Sequence, residues 1–300
     1  MKKASMHKTN VIWFLLPAIF GMLFVHFIPI LWGIYISFLD LDLYTIASPW
    51  TAPFVGFGNY VQIFTSGMDV GTKFIRSLWN VIFFGIITVP AGYIIGLAVA
   101  LLLNQKFVGR NLVRGLVLLP YITPDSVCYN VWRFIFQARI GLVNKILMDL
   151  NLIKEPLIWL VGERGIYAVM VASIWKGWPF ASLILLAGLQ SIPHELYEAA
   201  RIDGANKWQQ FINITFPMLL PISGTLLLLS SIWNFHAFNQ FYVMLSSDPG
   251  AGADVPSTLI LREAFSNLHY GLGSAMSTVL MAIIMIMTVI SIKARREEVH

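Results

Sequence analysis

Six blocks of predominantly apolar residues, each about twenty or more long, leave this chain little to fold into except a lipid bilayer. At 1.5 Å per residue, a helical block of about twenty residues covers a hydrocarbon core about 30 Å thick. The blocks predict spans at 11–38, 81–103, 115–137, 166–190, 217–241 and 273–292. Each span must be helical, because a backbone facing lipid has no water to satisfy its amides. Composition points the same way: 57% of the 300 residues are hydrophobic and 12% are charged, where a soluble domain carries about 25% charged residues. The first block follows Lys2, Lys3 and Lys8 and is too long for the apolar region of a signal peptide, so it is expected to stay as an anchor. The expected fold class is an all-α integral membrane protein, one transmembrane domain over residues 1–300.

The net charge of +5 comes from basic residues scattered along the chain, without the clustering and interleaved aromatics of a nucleic-acid binder. No nucleic-acid partner is expected. The distribution instead carries orientation, because short cytoplasmic loops collect Lys and Arg. Placing both termini in the cytoplasm puts Lys2, Lys3, Lys8, Lys106, Arg110, Arg114, Arg201, Lys207, Lys293, Arg295 and Arg296 inside. The opposite side then holds Lys73, Arg76, Arg139, Lys145, Lys154, Arg164 and Arg262, spread over longer loops where the rule counts less. The single cysteine, Cys128, lies in an apolar block; it forms neither a disulfide framework nor a metal-ligand pair and reads as a small buried hydrophobe. No metal site and no catalytic constellation is expected.

With this orientation, residues 191–216 form an unusually long cytoplasmic connector. Its pattern is helix, break, helix. Pro193 suits a helix start, Glu195 and Glu198 suit the positive N-terminal end, and Gly204 supplies a left-handed stop. Ala199 and Ala200 give the helix a low surface that another protein can approach closely. Leu196, Ile202, Trp208 and Phe211 add apolar anchors. A connector of this kind calls for a partner.

Glu198-Ala199-Ala200, Gly204, Ile214 and Pro217 stand at the spacings of the hallmark motif of ABC importer permeases, and with them the sequence resembles that family. Phe216 replaces the usual Leu. The resemblance runs along most of the chain, to the carbohydrate-uptake branch that includes the larger maltose permease subunit. Val55-Gly56-Phe57-Gly58-Asn59-Tyr60, Leu119-Pro120-Tyr121 and Ser191-Ile192-Pro193 look like that branch; Ser246-Ser247-Asp248-Pro249-Gly250 departs from it. The resemblance implies a type I importer permease fold in a bacterial or archaeal cell membrane. It also implies that Glu198, Ala199, Ala200, Asp203 and Gly204 couple the chain to a separate ATPase. The sequence contains no Gly-x-x-x-x-Gly-Lys-[Ser/Thr] phosphate loop, so ATP and magnesium would be bound by that partner and none by this chain. The partners implied are an ATP-binding cassette dimer, a second, different permease chain, an extracytoplasmic solute-binding protein and a sugar-like solute.

Charged residues at bilayer depth cost about 2.5–3.5 kcal/mol on insertion scales, so each needs a reason. Asp125 lies about 16 Å into the third span and Lys176 about 15 Å into the fourth, counted from opposite ends. Both reach the midplane. They could form a structural pair or line a path for solute, and Pro120 and Pro124 around Tyr121 break the helix there in a way tolerated beside protein or water. The resemblance carries sugar-contacting positions onto Tyr121 and Asp125 in the third span, Ser173, Lys176, Gly177 and Phe180 in the fourth, and Trp233, Ala237 and Gln240 in the fifth. Only Tyr121 and Gly177 keep the residue type of the maltose subunit, so a solute other than maltose is expected. The competing reading is an ion-driven secondary transporter using Asp125 and Lys176, which leaves the 198–217 motif without a purpose.

Overall fold

Apolar sequence becomes helix with few interruptions in the computed structural model, which describes residues 13–65 and 69–297. Two compact units emerge from the packing, one of residues 1–74 and 260–283 and one of residues 75–259 and 284–300.

The first unit opens with α1 (Trp13–Ile36), apolar nearly all round; none of its most hydrophobic stretch is covered by other parts of the chain. A helix of that kind is stable only with lipid or another subunit around it. A π-turn at Leu23–Phe27 precedes Pro29, the wider turn relieving the clash between a proline ring and the carbonyl one turn back. The chain leaving α1 is pinned by Asn59, on α2 (Gly58–Phe64), whose Nδ2 donates to Ser37 O and Leu39 O, both at 2.9 Å. The Gly271 N–H donates to Leu41 O at 3.0 Å, and Leu39, Leu41 and Ala52 form a small core with Ile36 and Tyr270.

The second unit takes in most of α3 (Asp69–Asn104), which begins well before the expected residue 81, with Asp69 at its positive end. The third expected span, 115–137, is three pieces: α4 (Arg110–Val117), α5 (Leu119–Ile122) and α6 (Asp125–Ile135). Pro124 has no N–H to give, and it pushes Thr123 out of the helical region to ψ 129°. In the following connector, α7 (Leu142–Asp149) is held by Asn144, which donates to Ala138 O and Leu157 O and accepts from Trp159 Nε1 at 2.8 Å.

The central element is α8 (Arg164–Gln190), whose small residues Ala168, Ala172, Ala181 and Gly188 are buried. Small residues let membrane helices approach closely. A Cβ on Gly96 of α3 would stand 2.7 Å from Ala181 Cβ and 2.9 Å from the Ser182 backbone nitrogen, so only glycine fits. Beyond α8 lie α9 (His194–Ile202) and then α10 (Lys207–Phe235). The expected fifth span, 217–241, therefore starts ten residues early and ends six early. The second half of the 191–216 connector is its first turns, continued through a π-turn at Phe211–Thr215 ahead of Pro217. A break at 236–238 separates α11 (Asn239–Leu245), followed by α12 (Pro256–Leu261). The last helix, α13 (Tyr270–Glu297), covers the expected sixth span, 273–292.

Five of these helices are long and apolar enough to cross a membrane: α1, α3, α8, α10 and α13. The broken run α4–α6 stands where the remaining span was expected. The described residues form no β-strand, and Cys128 is buried, as its apolar setting predicts. Lys2, Lys3 and Lys8, used above for orientation, lie outside the described residues.

Candidate functional site

Two features of the second unit stand out, a cavity among its helices and an exposed helical connector. The cavity holds about 430 Å³, within the usual range for a small-molecule site. All nine positions expected along a solute path line it: Tyr121, Asp125, Ser173, Lys176, Gly177, Phe180, Trp233, Ala237 and Gln240.

One wall is aromatic. Tyr121 stacks on Phe180 with ring centroids 5.2 Å apart, and Phe180 meets Trp233 at 5.2 Å. The three rings come from α5, α8 and α10, so the wall exists only in the folded chain. Flat apolar faces beside a few polar groups match the C–H faces and hydroxyls of a carbohydrate.

The charged pair lies at the break in the third passage. Lys176 Nζ donates to Asp125 Oδ1 at 3.1 Å, to Thr123 O at 2.6 Å and to Tyr121 O at 3.5 Å. Asp125 Oδ2 accepts from Asn239 Nδ2 at 3.0 Å. Asp125 opens α6, where the helix dipole favours a negative charge. The lysine side chain is 13% exposed and the aspartate 45%. The two residues thus touch at one wall, forming the pair that was one of the two expectations while also lining the cavity, and they join α5, α6, α8 and α11.

Sequence reasoning missed the contribution of α3. Phe84, Thr88 and Gly92 line the cavity from one face at a four-residue spacing, with Tyr93 beside them. Thr88 Oγ1 donates to Asn234 Oδ1 at 3.3 Å, and Tyr93 OH lies 2.9 Å from Ser223 Oγ. The available signal was two hydroxyl side chains in an otherwise apolar span, where polar groups turn toward protein or water. Asn239, next to the expected Gln240, was also missed.

The connector follows from local chemistry. Pro193 caps α9 in an extended conformation, and Glu195 sits in its first turn. The helix ends with Gly204 at φ +83°, the Ala205 N–H donating to Ala200 O at 2.8 Å and the Gly204 N–H to Arg201 O at 3.1 Å. That double bond pattern is the Schellman stop. Asn206 and Gln209 then form a reciprocal capping box that starts α10. Glu198, Ala199, Asp203 and Gly204 are exposed and Ala200 is half-buried. Ile202 is 87% exposed and Trp208 68%. Tyr197, on the opposite side of α9, places its hydroxyl 2.9 Å from Thr215 Oγ1 in the π-turn. Tyr197 and Ile214 also pack on the core of Leu189, Ile192 and Leu219. Among the described residues, no group of three or more His, Cys, Asp and Glu side chains could hold a metal ion.

Residues 89–295 match the model of a family described as binding-protein-dependent transport system inner membrane component. The chain is 34% identical over 245 residues to the trehalose/maltose transport system permease protein of Thermococcus litoralis, covering 81% of this chain and 80% of that one. It is 32% identical over 283 residues to the sulfoquinovosyl glycerol transport system permease protein of Agrobacterium fabrum, covering 94% and 89%. A bacterial alginate ABC transporter, solved with an alginate pentasaccharide-bound periplasmic protein, contains a chain of the same fold: TM-score 0.79 at 23% identity, covering 97% of this chain and 95% of that one.

Proposed function

The chain belongs to the family of binding-protein-dependent transport system inner membrane components, a multi-pass membrane protein by its helices, and on that premise we propose how it works. It forms the path for a sugar or sugar-like solute and takes its energy from a separate ATPase through residues 198–217. The observation that carries this reading is the connector. Its exposed small-residue helix lies between α8 and α10, two of the helices that line the cavity. A partner that moves α9 would move them both. The family match favours this importer over an ion-driven transporter, the other use of Asp125 and Lys176.

Within this proposal, both termini and the connector face the cytoplasm. Glu198, Ala199, Ala200, Asp203 and Gly204 meet the ATPase, and the nine cavity residues meet the solute. The chain is non-catalytic; ATP and magnesium belong to the ATPase dimer. A second, homologous permease chain completes the path, and an extracytoplasmic protein delivers the solute. Sugar-class solutes named for the relatives support the solute class.

The test is purification of the tagged chain in mild detergent. It should bring down an ATP-binding cassette protein that hydrolyses ATP, while the isolated chain hydrolyses none. ATPase activity in the isolated, contaminant-free chain would contradict the proposal.

A further inference from the structure

The cavity contains one full positive and one full negative charge, and they cancel each other. Its titratable lining residues are Asp125, Lys176, His236 and the tyrosines 93, 121 and 129. An ammonium has three N–H donors, and those of Lys176 meet Asp125 Oδ1 at 3.1 Å, Thr123 O at 2.6 Å and Tyr121 O at 3.5 Å. With the side chain 13% exposed, no donor is left for an incoming anion. His236 Nδ1 lies 3.0 Å from Ile232 O, and a neutral ring that donates there presents Nε2 as an acceptor, which offers nothing to an anion. Asp125 is different: 45% exposed, it gives Oδ2 to Asn239 but keeps lone pairs toward the cavity, since each carboxylate oxygen accepts more than one bond.

We propose that the cavity selects a solute without net charge that donates hydroxyl hydrogen bonds, and rejects sugars bearing a carboxylate, phosphate or sulfonate. This rests on the transport reading above and narrows its solute class. An anionic group entering here finds a carboxylate facing it and a lysine already neutralised. Drawing Lys176 away would strip Thr123 O and Tyr121 O of their donor and leave Asp125 unpaired, and an unpaired charge of this kind is costly. A hydroxyl pays neither cost. It donates to Asp125 while the ring beneath it lies on Tyr121, Phe180 and Trp233.

The test uses the complete complex purified with its solute-binding protein. The solute eluted from it is identified by mass spectrometry. Binding of that solute and of its primary-alcohol-oxidised carboxylate derivative is then compared on the complex freed of the binding protein, for the wild type and for Asp125→Asn, which keeps the shape and unmasks the lysine charge. The expected solute is uncharged. The wild type should prefer it by about tenfold or more, which is about 1.4 kcal/mol, and the variant should lose or reverse that preference. A charged native solute would overturn the proposal, and so would an unchanged preference in Asp125→Asn, since selectivity would then lie elsewhere. A neutral solute that is not sugar-like would overturn the sugar class while leaving the charge rule standing.

Discussion

Lys176 is the residue on which the cavity turns, because it holds two main-chain carbonyls and one carboxylate together where Pro124 breaks the third passage. The consequences of removing each partner differ. Asp125→Asn leaves both carbonyls satisfied but takes the counter-ion from the Lys176 charge, so the complex should still assemble, with a lowered thermal midpoint, and change in solute preference. Lys176→Met takes the donor from both carbonyls, at about 1–3 kcal/mol for a buried group left unsatisfied. It should lower the yield or thermal midpoint of the complex as well as uptake; both are read by size-exclusion chromatography and a thermal melt. Gly96 makes a purely structural contrast. Its Cα faces the backbone of α8, so Gly96→Val should destabilise by about 1–3 kcal/mol or more through overpacking, with no change in solute preference in the protein that survives. Gly204 is different again. A Cβ there would meet nothing within 4 Å, and the only intrinsic cost of a side chain is the left-handed backbone, which asparagine tolerates. Gly204→Asn should therefore keep the fold of the chain and still cut transport, if the open space above Gly204 is where the ATPase docks. Normal uptake by Gly204→Asn would remove Gly204 from the docking surface.

At the scale of elements, the connector is a helix, a left-handed stop and a capped restart, tied to α10 by the Tyr197–Thr215 bond. Thr215 is 5% exposed and Tyr197 half-buried, and one such hydrogen bond contributes about 0.5–1.5 kcal/mol. Tyr197→Phe should leave ATP hydrolysis by the complex near normal and lower the solute moved per ATP several-fold, and Thr215→Ser should keep the wild-type ratio. An unchanged ratio in Tyr197→Phe would show that α9 does not drive α10 through this contact. The helix start and its stop were legible in the sequence because proline and a left-handed glycine act within a few residues; the reciprocal Asn206 and Gln209 cap came only with the structure. The start of α10 was not. The proline at 217 reads as an entry to a span, whereas the chain absorbs it with a π-turn and carries the helix ten residues further back. The same limit hid α3 as a cavity wall: Thr88 and Tyr93 sit in an apolar run whose pattern gives length but not facing. Asp125 and Lys176 stood out by their depth in the spans; the other seven cavity residues came from family resemblance, and periodicity alone would not have grouped them.

For the whole molecule, transport depends on which side of the membrane the connector occupies and on what drives the solute. On a Cys128→Ser background, an impermeant thiol reagent on intact cells should label Ala251→Cys and spare Glu195→Cys, both positions being exposed in the folded chain; the reverse pattern would contradict the proposed orientation. The apolar surface of α1, bare in the isolated chain, belongs in an apolar environment, and the expected passages were legible because the bilayer sets a minimum length for each. The energy source is tested most directly by uptake into proteoliposomes holding the purified complex, with the solute and its binding protein on the extracytoplasmic face. Uptake should require ATP on the connector side, be indifferent to collapse of proton and sodium gradients, and fall to background with Gly204→Asp at wild-type subunit levels. Uptake that persists without ATP and follows an ion gradient would contradict the account.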